Sequence, residues 1–589
     1  MVRHSALLGL FGLAIIYTLL TFGEASVTTD GGRWHAEIEA FAQGHTLYRD
    51  YNWPFPPLSM WLLGSWALVF GAGSLSLVVA TTAVFFAIVM VWYMYVRAVA
   101  RDVPAVFWPA AFILAVGAAY GSIPVGMYTP AAPIGFLFTL AALTILVARS
   151  DTSWGPYAAG VLCGLAILTK QDFWPSALFM LVAGGLWLYR WPGRGRLWAS
   201  ALLTVFAGAL VIALTAGVGT LPEVAVGFGR LDRGIDRQIP SWRIMTTELA
   251  VLGLLCAASV ICLRFVGLRR NLAFAAFPAI ALAALAVHFT ATFQGWGIDV
   301  DAMRQFHLAN GSSLFRPALG WFTADALRRP IPVILPFTVL LILLWKWREI
   351  KDRDGAALAL FLVGLAAASR ARRGFEYTEW WHIFIELPAY VLVLRVLASA
   401  RINRIIAALS LLLLIVGVQS YQAHAAGPFT NSRPREWLET ARGPIRLSES
   451  SAAGFREVRA VVDSLDPTGE RPVFVLAKSG GYNYYMGRRN PALAFHGFIG
   501  SGFPPEEVQR RILESDPPTL LIDRTAAYDW QRFEHSWEAW EPVPVPTVFD
   551  DRVWFDRTKA LCQEVARATN HVIYDCAGAG SGSTYPAGR

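Results

Sequence analysis

Asp30-Gly-Gly-Arg33-Trp34-His35-Ala-Glu37-Ile38-Glu39-Ala-Phe41-Ala-Gln-Gly44, running on through Leu47-Tyr48-Arg49-Asp50-Tyr51-Asn-Trp53-Pro54-Phe55-Pro56-Pro57, follows directly on an apolar run over residues 6–22. A plain connector between apolar runs needs no such charged, aromatic and proline-rich loop. Carboxylates at a membrane edge are costly to place, so they point to function. The first half of the loop reads as a helix over 31–43. Asp30 is a favoured N-cap, Gly44 a favoured stop, and Trp34, Ile38 and Phe41 recur at i, i+4, i+7 as its apolar stripe. Pro54, Pro56 and Pro57 fix φ and remove donors, giving a stiff entry into the segment that follows.

Composition shows what this loop is attached to. Of 589 residues 55% are hydrophobic and 16% charged, with a mean hydropathy of +0.45. About 20 mostly apolar residues are needed to cross roughly 30 Å of hydrocarbon. Runs of that kind are expected as spans at 6–23, 75–96, 103–121, 130–148, 156–170, 173–189, 198–219, 246–266, 271–292, 331–346, 355–369, 378–396 and 403–421. The expectation is a polytopic α-helical membrane protein of about 13 transmembrane helices over 1–421. It comprises the external loop 24–57 and a juxtamembrane segment 58–71, too short for a span and suited to an interfacial or re-entrant helix. A soluble α/β domain is expected over 422–576, with strands at 473–476 and 519–522 and a helix at 505–513, then a disordered Gly/Ser-rich tail at 577–589.

Charge supports that count. If 58–71 does not cross and the N-terminus is cytoplasmic, the connectors bearing Arg97/Arg101, Arg190/Arg194/Arg196, Arg264/Arg269/Arg270, Lys346/Arg348/Lys351/Arg353 and Arg395/Arg401/Arg404 all lie inside, as the positive-inside rule requires. Arg370/Arg372/Arg373 count the other way. The loop 24–57, Lys170, the 220–245 and 293–330 loops and the C-terminal domain then converge on the exported side of the cytoplasmic (inner) membrane. The first run lacks a small-x-small cleavage site and reads as a retained anchor. The net charge of +8 accompanies no nucleic-acid motif, so it reports topology and contact with membrane lipids. Cys163, Cys256 and Cys262 sit in apolar runs as packing residues. Cys562 and Cys576, separated by a helix-like stretch at 563–569 and an apolar run at 571–574, are candidates for a disulfide if the tail is exported, but spacing alone does not fix the pairing.

The motif Asp30…Glu37…Gly44-x-x-Leu-Tyr-Arg-Asp50…Pro56-Pro57-Leu resembles the first external loop of the GT-C polytopic glycosyltransferases, in the bacterial branch similar to protein O-mannosyltransferases and lipid A aminoarabinose transferases. Gly164-Leu-Ala-Ile-Leu-Thr-Lys170, Arg373-Gly-Phe-Glu-Tyr…His382…Leu387-Pro388 and Tyr484-Tyr-Met-Gly-Arg-Arg-Asn-Pro491 resemble later family segments in the same order. One departure is Tyr128-Thr129-Pro130, where relatives often carry an aspartate.

The resemblance implies transfer of a sugar from a polyprenyl-phosphate donor, with inversion, to a hydroxyl on a lipid- or glycan-linked acceptor. Such a reaction needs one carboxylate to take the acceptor proton, cations on the departing phosphate, and exclusion of water. Asp30 is assigned as the base, a role compatible with helix capping. Glu37 shares the cavity or positions a sugar hydroxyl; otherwise it lies on a solvated face. Asp50 is expected to pair with Arg49 or Arg33 and shape the loop. Lys170, one arginine among Arg230, Arg233, Arg237 and Arg243, and Arg372 or Arg373 are assigned to phosphate, or else to anionic headgroups. His382 is expected to hydrogen-bond a carboxylate such as Glu376 or Glu379. Asp299-Val-Asp301 is a weak DxD match, and no obligatory metal or other cofactor is expected. The alternatives are a polytopic transporter or flippase, and a non-catalytic binder of lipid-linked sugars. No internal repeat, no matched pair of broken spans and no P-loop supports transport.

Overall fold

The computed structural model describes residues 2–23, 29–100, 104–111, 130–148, 152–183, 194–226, 387–396, 435–476, 480–495, 503–523, 554–568 and 571–577. The first half is helical: α1 (Val2–Thr21), α2 (Thr29–Ala42), α3 (Leu58–Phe70), α4 (Ser74–Val99), α5 (Ala131–Ala148), α6 (Gly155–Ile167), α7 (Trp174–Ala183), α8 (Arg194–Ala216) and α9 (Thr220–Val226), with α10 (Leu387–Val396) packed against α4. Three helices among the described residues are long and apolar enough to cross a membrane, Ser74–Val99, Ala131–Ala148 and Gly195–Ala216, whereas α6, expected as a span over 156–170, has only thirteen helical residues, as many as α3. The spans expected at 246–266, 271–292, 331–346, 355–369 and 403–421, and the tail beyond 577, lie outside the described residues.

Length explains the behaviour of α3. Thirteen residues at about 1.5 Å each reach roughly 20 Å, short of the roughly 30 Å of a hydrocarbon core. Ser59, Met60, Leu63, Gly64 and Ala67 form its buried face at i, i+4 spacing, whereas Leu62, Leu68, Val69 and Phe70 are exposed. Gly64 is needed because the Phe41 ring of α2 rests where its Cβ would be. Outward apolar residues recur along α8, at Leu202, Leu203, Phe206, Leu210 and Leu214.

Helices α6 and α8 pack through small residues. A Cβ on Gly160 would overlap the Leu197 carbonyl and Ser200 hydroxyl of α8, and one on Gly164 would come within 2.7 Å of Thr204 Cβ. Glycine permits this backbone approach, the usual device of helix pairs in lipid. Cys163 lies buried between them. On α4, Trp92 donates to the Ala110 carbonyl at 3.1 Å and Tyr95 to the Pro388 carbonyl at 2.8 Å, which fastens α10 to the span.

The C-terminal segment forms an antiparallel pair β1 (Arg435–Leu438) and β2 (Ile445–Ser448), helix α11 (Glu449–Leu465), and a four-stranded sheet. The sheet order is β3 (Val473–Leu476), β4 (Leu520–Asp523), β6 (His571–Asp575), β5 (Gln563–Ala568). Strands β3 and β4 are parallel, their crossover carrying α12 (Gly480–Met486) and α13 (Pro505–Leu513); the other pairs are antiparallel. The helix expected at 563–569 is instead strand β5. Its local helical tendency yields to pairing with β6, as tertiary context overrides propensity. Cys562 and Cys576 are disulfide-bonded across the ends of these two strands.

The described residues form three buried cores. One runs among the long helices, and a smaller one lies under β3, β4 and α13. The remaining core joins α2, α3 and the start of α4 to the C-terminal segment, with Trp34, Ile38, Tyr51, Trp53 and Met60 in one apolar body with Phe455, Tyr484, Tyr485 and Ile522. First loop and last segment are one packing unit.

A prediction follows from α6–α8. Gly160→Ala should lower stability in detergent by about 1–3 kcal/mol through overpacking against backbone. Gly195→Ala, where a Cβ meets nothing within 4 Å, should be neutral or mildly stabilising. Thermal unfolding of both variants checks this.

Candidate active site

Helix α2 begins at Thr29, so Asp30 lies within its first turn rather than capping it. Residues 30, 33, 34 and 37 stand at i, i+3, i+4, i+7, on one side of the helix. The stop is as expected. Gly44 adopts φ +93°, its N–H bonding Phe41 O at 3.0 Å while His45 N–H reaches Ala40 O at 3.1 Å. That double closure is a Schellman motif and requires a left-handed residue.

The burial of α2 departs from the expected single stripe. Trp34 and Ile38 are buried, but so are Arg33, His35, Ala36, Glu37 and Ala40. Glu37 is 0% exposed, which excludes the solvated-face reading, and its carboxylate lies 3.4 Å from Arg33 Nε one turn back. The covering surface comes from the far end of the chain. His35 Nδ1 and the Tyr485 hydroxyl share a hydrogen bond of 2.7 Å, and the Tyr484 ring lies 5.3 Å from the imidazole. Glu39 pairs with Arg442, and the Tyr484 hydroxyl donates to the Ala72 carbonyl. The Ser74 N–H and hydroxyl both donate to the Arg442 carbonyl, at 2.8 and 3.0 Å. Burial pushes the Glu39 carboxyl above its ordinary range, and Arg442 pulls it back.

The second half of the loop is pinned to α6 and α7. Tyr48, at φ +65°, holds the turn with its N–H on Tyr51 O at 2.8 Å and its hydroxyl on Phe55 O at 2.5 Å. Asp50 accepts from Arg49 at 2.9 Å and from the Thr46 N–H at 2.6 Å; Arg49 and that amide hold its carboxyl below the usual range against burial. It shapes the loop. Tyr51 lies buried near Glu37, its hydroxyl pushed up first by burial and then by the Glu37 and Asp50 charges.

Lys170 lies against the proline-rich end of the loop. It follows α6, is 1% exposed, lies 2.7 Å from Asp172 Oδ2, and stands 5.1 Å from the centre of the Phe55 ring. Gln171 Nε2 donates to Pro54 O at 3.3 Å and Val224 O at 3.0 Å, and Leu58 N–H to Leu168 O at 2.9 Å. The proline stretch thus sits on the turn that carries Lys170, buried rather than at the surface. Arg230, Arg233, Arg237, Arg243, Arg372, Arg373, His382, Glu376, Glu379, Asp299, Asp301 and Thr129 lie outside the described residues, as do Cys256 and Cys262. Among the described residues no three of His, Cys, Asp and Glu gather as metal ligands would.

Glu37 and Tyr51, the Arg33 guanidinium and the Lys170–Asp172 pair thus lie within or beside one buried core, behind aromatic and proline walls. His35, Tyr51, Arg442 and Tyr485 were not singled out by sequence. Tyr485 lay inside the quoted Tyr-Tyr-Met-Gly-Arg phrase, but nothing local says that it faces residue 35.

No family model matches the chain, and no curated protein matches it. Its fold is similar to the crystal structure of ArnT from Cupriavidus metallidurans bound to undecaprenyl phosphate, over 98% of this chain and 99% of that one, at 12% identity and a TM-score of 0.39. The apo crystal structure of the same ArnT gives 97%, 97%, 12% and 0.37. A likeness this loose fixes neither function nor site.

The pH response of the site has a definite sign. Burial pushes the His35 imidazole from 6.5 down to about 3. Between those values the unfolded chain binds a proton that the folded chain does not, so stability is lost as pH falls from about 6.5 towards 3. The melting temperature of the detergent-solubilised protein should fall across that window, and the fall should flatten in His35→Asn.

Proposed function

We propose that this chain is a membrane glycosyltransferase of GT-C type, which moves a sugar from a polyprenyl-phosphate donor to an acceptor hydroxyl at the outer face of the cytoplasmic membrane. The observation that carries the reading is the burial of α2. A polar helix holding Arg33 and Glu37 away from water, beside apolar spans, suits a transfer that must exclude hydrolysis. Polyprenyl phosphate is proposed as the donor class from the loop motif and the buried cation Lys170, not from the likeness to ArnT.

In this reading Asp30 takes the proton from the acceptor hydroxyl as its oxygen bonds to the anomeric carbon. The bond from that carbon to the phosphate oxygen breaks on the opposite face, and the electron pair leaves on polyprenyl phosphate. That inverts the centre and needs no separate acid. Glu37, held by Arg33, orients a sugar hydroxyl. Lys170 and an arginine of the 220–245 loop take the phosphate charge. Asp50 stays structural, Arg372 or Arg373 is a further candidate for the phosphate charge, and His382 is assigned to a carboxylate such as Glu376 or Glu379. The N-terminus is cytoplasmic and the C-terminal segment extracytoplasmic in this arrangement.

Asp30→Asn tests it. In membranes supplied with labelled polyprenyl-phosphate sugars, transfer should fall by about 10²–10⁴-fold, with folding and donor binding retained. Unchanged transfer moves the base to Glu37 or Asp50. No transfer by wild type from any donor returns the chain to transport or binding.

A further inference from the structure

Among the described residues the C-terminal segment packs on α2 through apolar side chains and is tied to it by polar ones. Apolar packing alone would bury α2 without fixing its rotation or its slide along the axis. A buried hydrogen bond fixes both, because an unpaired partner costs about 1–3 kcal/mol. Polar ties run from residues 441–485 to α2 and to Ser74 of α4: His35 to Tyr485, Glu39 to Arg442, and Ser74 to the Arg442 and Pro444 carbonyls. His35 and Glu39 are one turn apart, on either side of Glu37 in the chain.

The far ends of these ties are themselves held. Ala441 N–H donates to Tyr485 O at 3.0 Å, so the two anchors form one backbone unit. Helix α12 ends at a left-handed Gly487 (φ +70°), where Arg488 N–H bonds Asn483 O at 2.9 Å. The Arg488 guanidinium then pairs with Asp466 and with Asp463 of α11. The phrase Tyr484-Tyr-Met-Gly-Arg is thereby a bracket. Its tyrosines face α2 and its arginine is bolted to the helix behind.

We infer that Tyr485 and Arg442 are positioning residues, which act through His35 and Glu39 to hold α2, and with it the carboxylates at 30 and 37, in register for transfer. This rests on the function proposed above. It assigns the C-terminal segment a part in the rate of the reaction.

The test uses the full chain in nanodiscs. Tyr485→Phe removes one hydroxyl and leaves the ring packing. His35→Leu removes the other partner, whereas His35→Asn keeps a polar atom near the place of Nδ1. Hydrogen exchange of the 29–42 amides should speed up about three- to tenfold in Tyr485→Phe and His35→Leu, matching one net hydrogen bond, and stay near wild type in His35→Asn. kcat should follow the same order with KM for the donor unchanged, and the Tyr485→Phe/His35→Leu double should be no worse than either single. Equal exchange and equal kcat in all variants overturns the proposal, as does a loss in Tyr485→Phe and His35→Leu that His35→Asn shares. Exchange read on a wild type that transfers no sugar still decides whether the bracket holds α2, while the function fails separately.

Discussion

The hydrogen bond between His35 and Tyr485 is the constraint around which α2 and the C-terminal segment are organised. It is buried and joins residues 450 positions apart. A histidine and a tyrosine facing each other in an apolar core leave little freedom, since each is costly to strand without the other. Glu39–Arg442, Tyr484–Ala72 and Ser74–Arg442 gather round it. Burial of Arg33 and Glu37 then follows, because the covering surface excludes water from the whole turn of α2.

The Lys170 turn is built on the opposite logic, from backbone stiffness. Three prolines deprive 53–57 of donors, so its carbonyls are met by side chains, Trp53 Nε1 on Pro56 O at 3.3 Å, Tyr48 on Phe55 O and Gln171 on Pro54 O. Phe55 is pressed against the ammonium. Asp172 beside Lys170 lowers the cost of burying that charge. A pair of this kind holds its place until a stronger anion competes for the cation.

Local signals made α2, α3 and strands β3 and β4 legible. Gly44 marks a stop because few residues accept its φ, and thirteen apolar residues cannot reach across a bilayer. Strands β3 and β4 showed as short β-branched runs. What the sequence hid depends on distant partners. The polar side of α2 looked solvated because its cover lies more than 400 residues on, and β5 looked helical because its pairing with β6 is not written in its own composition. Lys170 looked like a surface cation for the same reason: Asp172 is close in sequence, but Phe55 is not.

The packing of α2 against residues 435–495 also bears on how the chain threads. In the arrangement proposed above both surfaces lie on the exported side of the membrane, which is compatible with their contact. The packing also sets an order of assembly. The loop is made early, and its partner surface only after some four hundred further residues. Until then the aromatic face of α2 stands open, and closing so long a loop is slow as well as entropically costly. The proposed catalytic helix is thus among the first parts to be synthesised and among the last to be finished.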